Sequence, residues 1–270
     1  MIYVKLKGGL GNQLFQFGAS LRAAKGNIAK IFFIKDETEK FFQYRLTELF
    51  NSSLLPSFVS NEELVIRINS GAKIFKLIDA SSPFLDTPTL DSCEERVSYL
   101  LDGYFQSYKN AEFVRNKFHE QSNLNYNQIE KGATTCYHYR HGDYSRLDVQ
   151  KELGLINISY YDRAFNLKNI DNTEITFFSD DNYIEKFYSN DDLNINFDFS
   201  SSDITCFRKM LAAEYLVIPN SSFSLMAAYL SKRLKVLIRP NIWSRKWKYD
   251  NLTSNEIINS RKIYNSFMPL

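Results

Sequence analysis

Cysteine is scarce: Cys93, Cys136 and Cys206 form an odd, widely spaced set with no CxxC pair. That excludes a disulfide framework and a cysteine-built zinc site, and it fits thiols kept reduced. Apolar runs are short, none approaching the roughly 18 residues of a membrane-spanning helix. The opening MIYVKLKGGLGNQ lacks the charged leader, long apolar stretch and small-residue cleavage site of a signal peptide. A soluble, cytoplasmic protein is expected. An excess of one charge is missing too, with 33 Lys plus Arg against 31 Asp plus Glu and a net charge of +2. Such a balance gives no broad basic surface for nucleic acid, and any positive field must be local. Histidine occurs only three times and tryptophan twice.

What the chain does have is length and aromatic rings. Its 270 residues at 44% hydrophobic content can bury two cores of ordinary domain size. The 17 Tyr and 22 Phe belong first in those cores, with sugar or base stacking as the alternative use.

Ile2–Leu6 reads as a strand that ends in Gly8-Gly9-Leu10-Gly11-Asn12. Helical spacing then runs through Leu14, Phe17, Gly18 and Leu21 to a stop at Gly26. A second strand over 28–34 completes a βαβ unit, which points to a parallel sheet. Residues 35–90 lack a clean period and read as mixed helix and loop. A helical segment is expected around 91–102, a helix over AEFVRNKF, and a polar linker over 121–135. Strand and helix then alternate through TTCYHYR, ISYYDRAFNLKN, EITFFSD, DNYIEKFYSN, INFDF, SDITCFRKMLAAE (capped by Ser202 or Asp203), YLVIPN and SSFSLMAAYLSK, with KVLIRP as the last strand. The expected architecture is α/β: two Rossmann-type, doubly wound domains, 1–128 and 129–270, facing across a cleft.

The stretch CYHYRHGDY gathers two of the three histidines with Arg140 and Asp143. Alternation along a strand puts His138 and Arg140 on one face and Tyr139 on the other. An arginine at the carboxyl end of that strand can hold a phosphate through a forked pair of hydrogen bonds. Equally, it can pair with Asp143 to pin the loop, with His138 a hydrogen-bonded interior residue. In PNSSFSLMAAYL, residues Asn220, Ser221 and Ser222 stand where a strand turns into a helix. That is an anion site needing no metal, or an ordinary serine cap. FFSDD ends a third strand with Asp180 and Asp181. Such a pair can hold magnesium or act as acid and base; the reading adopted is a helix cap for Asp181 and a positioning role for Asp180.

GGLGNQLFQFG, GYFQSYKN, HYRHGDY, FFSDD and PNSSFSLMAAYL occur in the order and at roughly the separations of the α-1,2-fucosyltransferases of glycosyltransferase family 11. The chain resembles that family from residue 3 to about 240. The resemblance implies a GT-B-like pair of domains and inverting transfer of L-fucose from GDP-fucose to the 2-hydroxyl of a β-galactoside, with no metal or other cofactor. The implied acceptor is a galactose-containing oligosaccharide, in the family often a lipid-linked unit of surface polysaccharide or O-antigen. By the same resemblance Arg140 holds the β-phosphate, His138 lies near the guanine, and Ser221, Ser222 and Phe223 add phosphate contacts. Asn12 approaches the donor from the N-terminal, acceptor-side domain. Asp143 is either the base for the acceptor hydroxyl or, as preferred, the orienter of Arg140.

Two positions depart from the family pattern. His141 stands where the second arginine of His-x-Arg-Arg-x-Asp-Tyr is usual. Cys206 stands where relatives often carry an aspartate that reads the guanine, and Asp203, three residues earlier, is its substitute on the same helix face. These departures keep a second reading open, a catalytically weak or inactive relative that binds a sugar nucleotide or glycan. A nicotinamide oxidoreductase is disfavoured, because no G-x-G-x-x-G follows a strand with an acidic residue about 20 positions on. The basic segment SKRLKVLIRPNIWSRKWK, which contains Arg239 and both tryptophans, reads as a strand followed by a solvated surface. Its alternative is contact with anionic lipid at the inner membrane, with Trp243 and Trp247 at the interface.

Overall fold

β1 (Ile2–Leu6) buries every residue but Lys5, with Ile2, Val4 and Leu6 on one face and Tyr3 beside Lys5 on the other, the near-complete burial of a central strand in a parallel sheet. It lies between β2 (Ile31–Lys35) and β5 (Ser98–Gly103) and runs parallel to both. With β3 (Ser57–Val59) and β4 (Phe75–Ala80) it forms a five-stranded sheet in the order β3-β2-β1-β5-β4. The computed structural model describes residues 1–35, 43–70, 75–80, 88–121, 134–166, 174–188, 194–240, 243 and 262–266. Contacts divide the chain into two compact units, Met1–Asn123 and Leu124–Leu270.

In the N-terminal unit, α1 (Leu10–Ala23) is buried on nearly every side and packs on α3 (Tyr108–Gln121). The approach depends on Gly18, where a Cβ would lie 2.0 Å from the carbonyl oxygen of Asn110. Arg22, also buried on α1, is matched by Asp91, whose Oδ1 accepts from Nε at 2.6 Å and whose Oδ2 accepts from Nη2, and by Asn110 Oδ1. The helix expected around 91–102 is absent: residues 98–103 are β5. Its apolar residues fit a strand clamped between β1 and β4, and that tertiary pairing overrides a local helical reading. Within 35–90 the structure resolves β3, α2 (Asn61–Asn69) and β4. The α2 start is capped by Ser60, whose hydroxyl accepts from Glu63 N at 3.0 Å.

The C-terminal unit contains β6 (Thr135–Tyr139), β7 (Ile175–Ser179), β8 (Ile195–Asp198), β9 (Tyr215–Val217), β10 (Val236–Pro240) and β11 (Lys262–Ser266). All pairings are parallel, in the order β11-β10-β9-β6-β7-β8. KVLIRP is therefore not the last strand; β11 adds a further edge beside it. The helices are α4 (Leu147–Glu152), α5 (Ile158–Phe165), α6 (Glu185–Tyr188), α7 (Asp203–Ala212) and α8 (Ser222–Leu230). The helix read in DNYIEKFYSN is cut to the single turn of α6 within the described residues. Ser202, not Asp203, caps α7. Tyrosines and phenylalanines fill this core, with Tyr137 stacked on Phe165 at 4.8 Å and Tyr161 packed edge-on to Tyr139. The expected linker falls largely on residues 122–133, outside the described set.

Each unit is thus a parallel sheet with interleaved helices, the pair of Rossmann-type, GT-B-like α/β units expected. In each, strand order reverses beside a central strand, between β1 and β5 and between β6 and β9. Ligands of open α/β sheets bind beyond the carboxyl ends of the strands at such points. The basic segment is less of a surface than its sequence implies. Arg239 (4% exposed) and Trp243 (3%) are buried, because β10 is a covered strand and Trp243 is drawn inward beyond it. This removes Trp243 as an interfacial anchor, and Trp247 lies outside the described residues.

Candidate active site

β6 delivers HYRHGDY to the reversal point of the second sheet. His138 and Arg140 share one face, and the two take different environments. His138 is buried against the ring of Phe223, 5.8 Å away. Burial, reinforced by the charge of Arg140 and partly offset by Asp180, pushes its pKa down to about 3, so the imidazole is neutral at ordinary pH. Its Nδ1 is buried and has no partner among the described residues, while its carbonyl accepts from the Tyr161 hydroxyl at 3.0 Å.

Arg140 is gripped by two carboxylates. Nη2 meets Asp143 Oδ1 at 2.8 Å and Nη1 meets Asp180 Oδ2 at 2.9 Å. Asp180 comes from the end of β7, adjacent to β6, and its other oxygen accepts the backbone N–H groups of His141 at 3.0 Å and Gly142 at 3.1 Å. One carboxylate therefore fixes both the loop after β6 and the aim of the guanidinium. The ring of Tyr144 sits 5.8 Å from the guanidinium carbon, and its hydroxyl donates to Asn220 O at 3.0 Å. That bond ties the loop to the turn after β9.

His141 points away from this cluster. Its ring is stacked on Tyr183 at 4.3 Å and on Tyr139 at 5.8 Å, and Nδ1 bonds Asp181 at 2.5 Å. The other oxygen of Asp181 accepts from Tyr183 N at 2.9 Å, so Asp181 closes the turn after β7 instead of capping a helix, because α6 starts only at Glu185. Asp181 and His141 thus hold each other and the turn after β7.

In the turn before α8, the amide nitrogen of Asn220 is committed internally, while its Oδ1 is buried with no partner among the described residues. Its Nδ2 faces the carbonyl oxygens of Leu153 (3.0 Å), Gly154 (3.3 Å) and Trp243 (2.9 Å). Ser221 occupies the N-cap position without a side-chain capping bond. Ser221 and Ser222, with first-turn N–H groups that have no intrahelical acceptors, are what this turn offers an anion. Phe223 wedges between His138 and Phe207. On α7, Asp203 opens the first turn, and Cys206 points its thiol at Ser201 O, its pKa pushed up to about 12 by burial.

In the N-terminal unit the glycine turn meets the loop after β5. Gly8 has φ +73°, which favours glycine. Asn12 Oδ1 accepts from Gln106 Nε2 at 2.6 Å. Gln16 donates to Gly103 O at 3.0 Å and accepts from Lys7 N at 3.1 Å, and Gln13 donates to Gly8 O at 2.9 Å. These amides knit GGLGNQLFQ to GYFQ. Sequence reasoning singled out Asn12 and missed the three glutamines, whose only signal was their place in the two quoted motifs. Among the described residues no group of three or more His, Cys, Asp or Glu side chains is placed to hold a metal ion. No helix among them is long and apolar enough to cross a membrane.

Residues 1–254 match the model of glycosyl transferase family 11. No curated protein matches the chain. Among solved structures it is similar to a glycosyl transferase family 9 protein from Veillonella parvula DSM 2008, at 9% identity and a TM-score of 0.49, over 98% of this chain and 85% of that one. It is also similar to the fucosyltransferase NodZ from Bradyrhizobium, at 8% identity and TM-score 0.48, over 85% and 93%. A third is the E. coli heptosyltransferase WaaC with ADP, at 9% identity and TM-score 0.47, over 99% and 93%.

Proposed function

Because the chain belongs to glycosyltransferase family 11, we propose that it transfers L-fucose from GDP-fucose to the 2-hydroxyl of a β-galactoside, with inversion and without a metal ion. The observation that carries this reading is Arg140, held by Asp143 and Asp180 where the order of the second sheet reverses. A diphosphate seated there meets a permanent, forked cation and the first turn of α8 with Ser221 and Ser222. As the bond between C1 of fucose and the β-phosphate oxygen breaks, the electron pair stays on GDP. Negative charge grows at that phosphate, and fixed donors stabilise it more in the transition state than in the ground state. The acceptor oxygen bonds C1 from the opposite face and gives up its proton to a base.

Asp143, paired with Arg140 at 2.8 Å, is assigned the orienting role in this arrangement, and Asp180 the positioning role. Neutral His138 and Phe223 line the guanine side, with Asp203 as the base-reading carboxylate. Asn12 serves the donor from the N-terminal unit, which carries the acceptor. The acceptor is a galactose-containing oligosaccharide, lipid-linked in surface-polysaccharide or O-antigen assembly, and the enzyme works in the cytoplasm, peripheral to the membrane. Incubation with GDP-fucose and a panel of β-galactosides, with a chelator present and products read by mass spectrometry, tests this. GDP release that depends on the acceptor, with a fucosylated product, is expected; absence of product with every acceptor removes the reading.

The same cluster favours a second reading. Two carboxylates face one guanidinium, and His141 supplies no second fixed cation because it is engaged with Asp181 and Tyr183. A relative that binds the nucleotide without turning over would show calorimetric binding of GDP without product in the same assay.

A further inference from the structure

The loop after β5 is built under strain. Phe105 has φ +52°, a left-handed conformation that a bulky residue rarely adopts. It is held there by full burial and by its carbonyl, which accepts from Asn110 Nδ2 and Ser107 N, each at 2.8 Å. Strain of this kind persists where the surroundings over-determine it, and it clusters at ligand sites. Its effect here is to place Gln106, 5% exposed, against Asn12 at the reversal point between β1 and β5.

The single bond between the two amides has a chemical consequence. Asn12 Oδ1 and Gln106 Nε2 satisfy each other at 2.6 Å. Among the described residues Gln106 Oε1 is left as a buried acceptor with no partner, and Asn12 Nδ2 makes no bond. A buried amide oxygen left unmatched carries a desolvation penalty that a ligand relieves. Asn12 Nδ2 occupies space that Gly8 leaves free, since a Cβ on Gly8 would stand 2.5 Å from it. Two amides joined by one bond leave one donor and one acceptor unused, whichever way the pair is turned. A hydroxyl group both donates and accepts, and a sugar presents several.

We propose that Asn12 and Gln106 form a hydroxyl-binding site for a sugar at the carboxyl ends of β1 and β5, Nδ2 donating to the sugar and Oε1 accepting from it. This rests on the glycosyltransferase reading for its ligand class, and the hydroxyl belongs to the ribose, the donor sugar or the acceptor sugar. Gln106 is then a direct sugar contact, and the strained Phe105 its mount.

The test uses the full chain and two variants. Asn12→Asp keeps an acceptor for Gln106 and removes the Nδ2 donor. Gln106→Met keeps the volume and removes the buried, unmatched oxygen. Affinity for GDP, KM for GDP-fucose and KM for the galactoside are measured, together with thermal midpoints and saturation-transfer NMR of methyl β-galactoside and methyl α-fucoside. One of these sugar interactions weakens by about tenfold in both variants, the worth of one neutral hydrogen bond. A fall in GDP affinity assigns the ribose, a change in the GDP-fucose KM alone the fucose, and a change in the galactoside KM the acceptor. Should Gln106→Met fail to fold, Asn12→Asp decides, because Asn12 is only partly buried and retains its internal bond. Unchanged values on every arm in Asn12→Asp, with turnover intact, overturn the site and leave the proposed reaction standing. Loss of saturation transfer in the variants of a chain without turnover keeps the site and overturns the reaction.

Discussion

Gly142 and Asp180 approach so closely that a Cβ on residue 142 would stand 2.4 Å from Asp180 Oδ2. The same oxygen pairs with Arg140 Nη1 at 2.9 Å, so the space at residue 142 and the aim of the guanidinium are a single constraint.

Gly142→Ala should therefore act on catalysis before it acts on stability. The new methyl pushes Asp180 or the loop aside, and a misplacement of about 1 Å in a catalytic group lowers kcat on the order of 100-fold. The loop is at the surface, so the thermal midpoint should move little. A variant with wild-type kcat would show that the clamp does not govern the reaction.

Arg140→Lys retains the charge and loses the fork. Turnover should fall by about 10²–10³, with a smaller loss in GDP affinity, as measured by single-turnover kinetics and calorimetry. Full activity would remove the phosphate role from Arg140.

The depressed pKa of His138 makes a pH prediction with a definite sign. In the unfolded chain the imidazole titrates near 6.5 and in the folded one near 3. Above the unfolded value both states are neutral and its contribution is fully present. As pH falls from 6.5 towards 3 only the unfolded state takes the proton, and stability drops at up to about 1.4 kcal/mol per pH unit. Urea midpoints of the wild type and His138→Gln between pH 4 and 7 measure this. The variant should show a shallower slope; equal slopes would mean that the ring is not held neutral.

Gly18→Ala brings a methyl against the backbone of Asn110, 2.0 Å from its carbonyl oxygen. Overpacking between two buried helices should lower unfolding stability by about 1–3 kcal/mol or more, read from denaturant melts, while kcat per folded molecule stays near wild type. An unchanged melt would mean that α1 and α3 can separate without penalty.

Local signals made the ends of β1, β6, β7 and β9 legible, because each couples a short apolar run to turn residues of recognisable chemistry. The pairing of Arg140 with Asp143 followed from neighbours in sequence, whereas Asp181 closes a turn and not the helix start read for it. The second grip on Arg140 did not. That Asp180 also takes the N–H groups of residues 141 and 142 follows from the pairing of Tyr139 with Ser179, which no local pattern specifies. β5 and β11 were misread or missed for the same reason: strands in parallel sheets are defined by partners far along the chain. Ser60 and Glu63 are a different case, a capping-box spacing present in the sequence and overlooked. Gln106 had no signal of its own, since an amide becomes informative only when its partner is seen.

The internal bonds of Asn220 set an order of events. Its Nδ2 closes loops of 67 residues to Leu153 and 23 residues to Trp243, and its carbonyl receives the Tyr144 hydroxyl across 76. Closures of that length are paid for in chain entropy before they return any contact energy, and they form late. During refolding, the local helices should return ahead of nucleotide binding, and a chain still emerging at residue 240 would lack both β11 and the Trp243 carbonyl that Asn220 Nδ2 engages.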